Sequence, residues 1–201
     1  VTFIVTAAAV VAGYLLGSIN FSYLYGKWFK NIDIRKHGSG NAGATNTLRV
    51  LGKGPAIGVL ALDVGKGIAA VWIGRWLGAE GEELLPILAG LGAIIGHNWP
   101  VFFSFRGGKG IATTIGVVAT LCFLPALIAG IIAILSIVIT RYVSLGSLIF
   151  TALLPFSIWL MDRPDSILVA SIIIAVFAFV RHRTNIVKLA QGKENKLGKR
   201  A

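Results

Sequence analysis

Three polar stretches interrupt an otherwise apolar chain, and each carries residue types suited to holding an anion. The first reads Gly38-Ser39-Gly40-Asn41-Ala42-Gly43-Ala44-Thr45-Asn46-Thr47-Leu48-Arg49. Gly38, Gly40 and Gly43 let successive backbone N–H groups point into one concavity; Ser39 and Thr45 add hydroxyls, Asn41 and Asn46 add amides, and Arg49 offers a planar fork for phosphate. The stretch is not a Walker P-loop, because no G-x-x-x-x-G-K-[ST] string occurs in the chain. The same composition also suits an interfacial turn whose small residues let helices pack closely.

The second stretch, Gly96 to Gly110, contains His97, Asn98, Ser104, Arg106, Gly107, Gly108 and Lys109, and opens onto Ile111-Ala112-Thr113-Thr114. A helix starting there presents unpaired N–H groups and a positive dipole end, while Arg106 and Lys109 add full charges. Trp99, Phe102, Phe103 and Phe105 suit an acyl chain or the membrane interface. His97, Ser104, Arg106, Gly107, Gly108 and Gly110 are accordingly candidate binding residues. A basic turn that attracts anionic lipid headgroups is the competing reading, and His97 taken alone also suits an interfacial hydrogen-bonded residue. The third stretch, Arg181-His182-Arg183-Thr184-Asn185-Ile186, sets His182 and Asn185 three residues apart, on one face if the helix continues. Its arginines also read as a charge signal at the end of a span.

Asp63 and Lys66 stand three apart within an apolar run. Burying either charge alone would cost about 2.5–3.5 kcal/mol on insertion scales, so the expectation is a structural ion pair, with a proton or ion pathway as the rival. Asn20 reads as a helix-packing donor.

The elements that position these stretches follow from composition. Of 201 residues, 56% are hydrophobic and 13% charged, and the mean hydropathy is +0.82. A water-soluble globule is excluded. One cysteine, Cys122, and three dispersed histidines give neither a disulfide framework nor a metal centre, so no metal and no cofactor are expected. Apolar runs at 3–25, 55–77, 84–97, 111–124, 125–140, 144–161 and 166–180 predict an all-α polytopic membrane protein of seven transmembrane helices, some of them short. The first run is read as a span rather than a cleaved signal, because no basic segment precedes it. The cut within 111–140 is placed at Pro125, since 30 helical residues would run about 45 Å, beyond the hydrocarbon thickness of about 30 Å.

Seven spans sort the charges. One side receives 16 cations, including Lys27, Arg49, Lys109, Arg141 and the tail through Lys199 and Arg200, against Asp33 and Glu194. The other receives Arg75, Glu80, Glu82, Glu83, Asp162, Arg163 and Asp165. The positive-inside rule then puts the N-terminus outside and the C-terminus in the cytoplasm, with all three polar stretches on the cytoplasmic face. Membrane lipids, not nucleic acid, are the expected surroundings of the charge. Residues 1–201 read as a single domain. The pentapeptide Gly65-Lys66-Gly67-Ile68-Ala69 recurs as Gly108-Lys109-Gly110-Ile111-Ala112. The likeness extends no further, which speaks against an internal repeat.

The strings GSGNAGATNTLR, GHNWPVFFSFRGGKG and RHRTNI, in that order and with LDVGKG between the first two, closely resemble the bacterial acyl-phosphate:glycerol-3-phosphate acyltransferases, the PlsY family. The resemblance spans nearly the whole chain. It implies transfer of a fatty acyl group from acyl phosphate to the 1-hydroxyl of sn-glycerol 3-phosphate, giving phosphate and lysophosphatidic acid at the inner face of the bacterial cytoplasmic membrane. It further implies Ser39, Arg49, Lys109, His182 and Asn185 as catalytic residues around glycerol 3-phosphate. Gly40, Asn41, Gly43 and Asn46 would hold the acyl-phosphate headgroup, and Glu194 would serve structural integrity. The H-x-x-x-x-D string of other glycerophosphate acyltransferases is absent, since Ala42, Phe102 and Val187 stand five residues after the three histidines. Direct transfer is therefore expected, with a substrate phosphate oxygen or His182 taking the hydroxyl proton, ahead of a Ser39 acyl-enzyme. A small transporter of an organic anion is the rival function. It would place key charges near the midplane, where only Asp63 and Lys66 qualify.

Overall fold

A computed structural model describes residues 2–198; Val1 and the tail residues Lys199, Arg200 and Ala201 lie outside the described residues. All seven apolar runs are mainly helical, and no strand occurs among the described residues. The chain divides after Leu121 into two units. The first holds α1 (Phe3–Gly17), α2 (Phe21–Lys30), α3 (Ala44–Leu51), α4 (Lys53–Leu77), α5 (Leu84–Asn98) and α6 (Ile111–Leu121), with 3-10 turns at Ile34–Lys36 and Val101–Phe103. The second holds α7 (Phe123–Thr140), α8 (Val143–Leu160), α9 (Asp165–Arg181) and α10 (Arg183–Ala190).

Small residues set the packing of the first unit. Gly13 and Gly17 of α1 lie against the backbone of Ala89 and Ala93 of α5, and Gly92 and Gly96 of α5 lie against Val10 and Tyr14 of α1. A Cβ on Gly13, Gly17 or Gly96 would collide with a carbonyl oxygen of the opposing helix. Helices in lipid gain little from hiding apolar surface from each other, so close backbone approach and the dispersion contacts it allows must hold them together. Gly67 and Gly116 bring α4 and α6 together in the same way. In the second unit, Gly146 of α8 receives Ile137 of α7. The outer face of α7 stays bare: Ile134, Val138 and Ile139 are 61, 70 and 80% exposed, a pattern that suits lipid and not water.

Five helical stretches are long and apolar enough to cross a membrane: Phe3–Lys30 taken together, Lys53–Leu77, Leu84–Phe103, Phe123–Thr140 and Val143–Leu160. The pair α9 and α10, bent by 63°, makes a sixth only if the two are counted as one broken span. The 11 residues of α6 span about 16 Å, half a hydrocarbon core, so length alone does not carry it across.

Three boundaries differ from expectation. The first run is not one helix: the chain breaks at Ser18–Asn20, and Asn20 is the N-cap of α2, its Oδ1 accepting from Tyr23 N–H at 2.9 Å. Its preference for capping over the helix interior decides this. The cut between α6 and α7 falls at Cys122, not Pro125, because proline is tolerated in the first turn of a helix and so sits inside α7. His182 ends α9, and α10 starts one residue later, so His182 and Asn185 do not lie on one continuous helix.

Candidate active site

Asn46 folds the first glycine-rich stretch. It is 1% exposed on α3. Its Nδ2 donates to His37 O at 3.0 Å and Ile34 O at 3.2 Å, and its Oδ1 accepts from Ser39 N–H at 2.8 Å. Both amide donors expected to meet an anion are thus engaged by backbone carbonyls, and Asn46 shapes the loop instead of offering N–H to a ligand. Gly38 and Gly40 adopt left-handed φ of 61° and 73° there, and a Cβ on Gly38 would strike Asn46 Oδ1. Thr47 accompanies it, its Oγ1 lying 2.8 Å from Ser22 Oγ and 3.2 Å from Gly43 O. This leaves Ser39 exposed and Asn41, Thr45 and Arg49 partly exposed around the loop and α3. The side chains of Ser39 and Arg49 bond to no protein group among the described residues.

The second stretch turns sharply after α5. Ser104 and Phe105 both take left-handed φ, 55° and 57°, and Phe105 N–H returns to Pro100 O at 2.9 Å. Arg35 crosses to it from the 3-10 turn that precedes the first loop. Its Nη1 donates to Phe103 O at 2.8 Å, its guanidinium grips Asp33 at 2.9 Å, and it stacks over the Tyr23 ring at 4.8 Å. The Arg35 hydrogen bond holds the Asp33 carboxyl below the usual carboxylate range. Ser104 and Arg106 are exposed on this turn. Gly107 and Gly108 then pass so close to His97 that a Cβ on either would collide with it, and Gly108 N–H donates to His97 O at 3.1 Å. The same Cβ on Gly108 would stand 2.8 Å from Ala42 O of the first loop. The two glycine-rich stretches therefore abut at Gly108 and Ala42, and Lys109 follows immediately, partly exposed at the start of α6. Gly110, at φ 80°, completes the turn beside Asn98.

Behind this junction lies a buried charged cluster. Lys66 Nζ is 2.8 Å from Asp63 Oδ1 and donates to Ile19 O at 2.8 Å, so the expected ion pair forms. His97 joins it, with Nδ1 3.4 Å from the same Asp63 oxygen. The ring faces the back of the glycine pair and is 3% exposed, a supporting position for a residue expected to touch substrate.

In the second unit, His182 is 2% exposed at the α9–α10 junction, and its Nδ1 lies 2.8 Å from Ala178 O. A carbonyl only accepts, so Nδ1 carries a proton toward Ala178 O. Asn185 Nδ2 donates to Glu194 Oε1 at 2.9 Å, drawing the tail back onto α10. That bond is a physical basis for the structural role expected of Glu194.

The family model for glycerol-3-phosphate acyltransferase matches residues 7–192. A relative from Shouchella clausii, a glycerol-3-phosphate acyltransferase, is 58% identical, with 96% of each chain covered, and one from Halalkalibacterium halodurans is 53% identical with 95% of each covered. The chain belongs to the glycerol-3-phosphate acyltransferase family. Two solved structures of PlsY, an integral membrane glycerol 3-phosphate acyltransferase, are 36% identical. The glycerol 3-phosphate form superposes with a TM-score of 0.90 over 96% of each chain, and the lysophosphatidic acid form with 0.87 over 96% of this chain and 95% of that one. The acyltransferase reading stands, and none of these relatives is a transporter.

For this multi-pass bacterial acyltransferase, sequence reasoning counted Arg35 and Asp33 only as loop charges. Their sequence signal was faint: an acid and a base two apart beside an aromatic helix. Asp63 and His97, 34 positions apart in the acyltransferase chain, gave no pairing signal at all.

Proposed function

We propose that the chain transfers a fatty acyl group from acyl phosphate to the 1-hydroxyl of sn-glycerol 3-phosphate at the cytoplasmic face of the bacterial inner membrane. The observation that carries this reading is the meeting of the two glycine-rich stretches at Ala42 and Gly108, with Ser39 exposed and Arg49 and Lys109 partly exposed on the same unit. Acyl phosphate is already an activated mixed anhydride. The protein need only align the hydroxyl with the acyl carbon, screen repulsion between phosphates and stabilise the oxyanion that forms. The hydroxyl oxygen bonds to the carbonyl carbon, the bond from that carbon to the phosphate oxygen breaks, and phosphate leaves with the electron pair. The hydroxyl proton passes to a substrate phosphate oxygen.

The first loop, with Gly38, Gly40, Asn41, Gly43 and Thr45, receives the acyl-phosphate headgroup on backbone N–H groups and side-chain donors; Asn46 holds that loop in shape. Lys109, Arg49 and Ser39 take glycerol 3-phosphate, aided by the start of α6 and the glycines around it. His182 and Asn185 of the second unit serve the same acyl transfer. His182, expected among the catalytic residues from the family resemblance, is the competing acceptor for that proton. The N-terminus lies outside and the C-terminus in the cytoplasm, as the excess of cations beside the glycine-rich stretches favours.

The test is purified protein with acyl phosphate and labelled glycerol 3-phosphate, scored for lysophosphatidic acid. Acyl-CoA and acyl carrier protein serve as alternative donors. Product from acyl phosphate alone is the expected result; product only from a thioester donor overturns the proposed donor.

A further inference from the structure

The cluster behind the glycine pair holds more than a salt bridge requires. Asp63, Lys66 and His97 are 1, 4 and 3% exposed, and Asp63 Oδ1 lies 2.8 Å from the Lys66 ammonium and 3.4 Å from His97 Nδ1. Lys66 alone neutralises Asp63, and Lys66 is itself capped by Ile19 O. The imidazole is thus surplus to charge balance. The carboxylate faces Nδ1 at 3.4 Å, an electrostatic contact short of a formed hydrogen bond, and its negative charge favours a proton on that nitrogen, the kind of outer partner that orients functional histidines. The ring so held has Nε2 turned toward Gly108, where no Cβ fits, and the carbonyl of the same residue accepts Gly108 N–H at 3.1 Å. His97 O also blocks any side chain at Gly107. Both ends of His97 therefore define the path of the two residues that precede Lys109.

We propose that Asp63 is a positioning residue for the Gly107–Gly110 stretch, acting through His97, and that its effect falls selectively on glycerol 3-phosphate. This rests on the reading that Lys109 and its neighbouring glycines hold that substrate. Asp63 touches no substrate. It sets the tilt of the His97 ring, the ring sets the course of Gly107 and Gly108, and that course aims the Lys109 ammonium and the first N–H groups of α6. The Asp63–Lys66 pair makes the carboxylate bearable in an apolar span, while the third partner links it to the loop.

The experiment uses the full chain in lipid vesicles with Asp63→Asn, His97→Gln and their combination, each substrate varied in turn. Each single change is expected to raise KM for glycerol 3-phosphate about tenfold or more while KM for acyl phosphate stays within about threefold. The combination is expected to be no worse than His97→Gln alone, because both changes cut one chain of contacts. Effects that multiply, KM values that rise together, or an unchanged KM for glycerol 3-phosphate in His97→Gln would overturn the proposal. Asp63→Leu combined with Lys66→Met replaces the ion pair by an apolar pair and covers the case in which Asp63→Asn does not fold. A purely structural pair predicts normal kinetics in that variant; the positioning role predicts a raised KM for glycerol 3-phosphate in a folded protein. If the wild-type chain makes no lysophosphatidic acid, the proposed reaction falls. The same variants are then read by calorimetric binding of glycerol 3-phosphate, where unaltered affinity rejects the role of Asp63.

Discussion

Replacing Asn46 by alanine removes three hydrogen bonds at once, those to Ile34 O, His37 O and Ser39 N–H. Each such bond contributes about 0.5–1.5 kcal/mol net, so the loop from His37 to Gly43 loses about 3 kcal/mol of local stability. That corresponds to roughly a hundredfold fall in the ratio of folded to open loop, at about 1.4 kcal/mol per factor of ten. Helices α4 and α5 have no part in these bonds, so the global melting temperature should move little. The assay pairs steady-state kinetics for acyl phosphate with hydrogen exchange over residues 37–43. The expected result is a large loss of kcat/KM together with fast exchange at Ser39 N–H. Asn46→Asp sharpens the comparison. It keeps an acceptor for Ser39 but sets a carboxylate against two carbonyl oxygens, so it should be no better than alanine. Kinetics within twofold of wild type in Asn46→Ala would refute the reasoning, because the loop would then owe its shape to something else.

Arg49→Ala and Lys109→Ala should each weaken glycerol 3-phosphate use strongly, and near-normal kinetics in either removes that residue from the site. If transfer is direct, as proposed, incubation with acyl phosphate alone leaves Ser39 unmodified by mass spectrometry; an acylated Ser39 peptide would replace direct transfer with a two-step route. Gly17→Val should destabilise the first unit by more than the ~1–3 kcal/mol of ordinary overpacking, because the clash is with the Ala93 backbone and no side chain can step aside; thermal unfolding in detergent measures it. The Asp33 carboxyl titrates below its unfolded value, so the stability it lends is complete above the ordinary value of 3.8 and is lost as pH falls through the depressed one. The difference in melting temperature between wild type and Asp33→Asn should therefore be flat from about pH 8 to 5 and shrink below about pH 4.

Much of this was legible in the chain because lipid enforces simple rules. Runs of apolar residues had to be helices, since an unpaired backbone has no partner in hydrocarbon, and the glycine-rich strings carried a recognisable chemistry. What escaped the sequence was local competition. Asn20 and Cys122 broke runs that hydropathy alone joined or cut elsewhere. Asn46 looked like a ligand because its type fits one, yet three backbone groups within twelve residues claimed it first. The pentapeptide shared by residues 65–69 and 108–112 is most telling: its lysine is buried in mid-helix in α4, but stands on a turn ahead of α6 in the second copy. The neighbours, not the five residues, decided each conformation. The link between Asp63 and His97 could not be read at all, because the 33 intervening residues carry no trace of which faces of α4 and α5 meet.

Main-chain contact between α1 and α5 leaves that crossing without slack. A seam made of side chains can absorb a substitution by choosing another rotamer; one made of carbonyls against Cα atoms cannot. Divergence among descendants of this chain should concentrate on the outward surface of α7 and spare the register of Gly13, Gly17, Gly92 and Gly96. Anyone humanising, stabilising or fusing the protein should treat those four positions as fixed hardware and the oily exterior as freely rewritable.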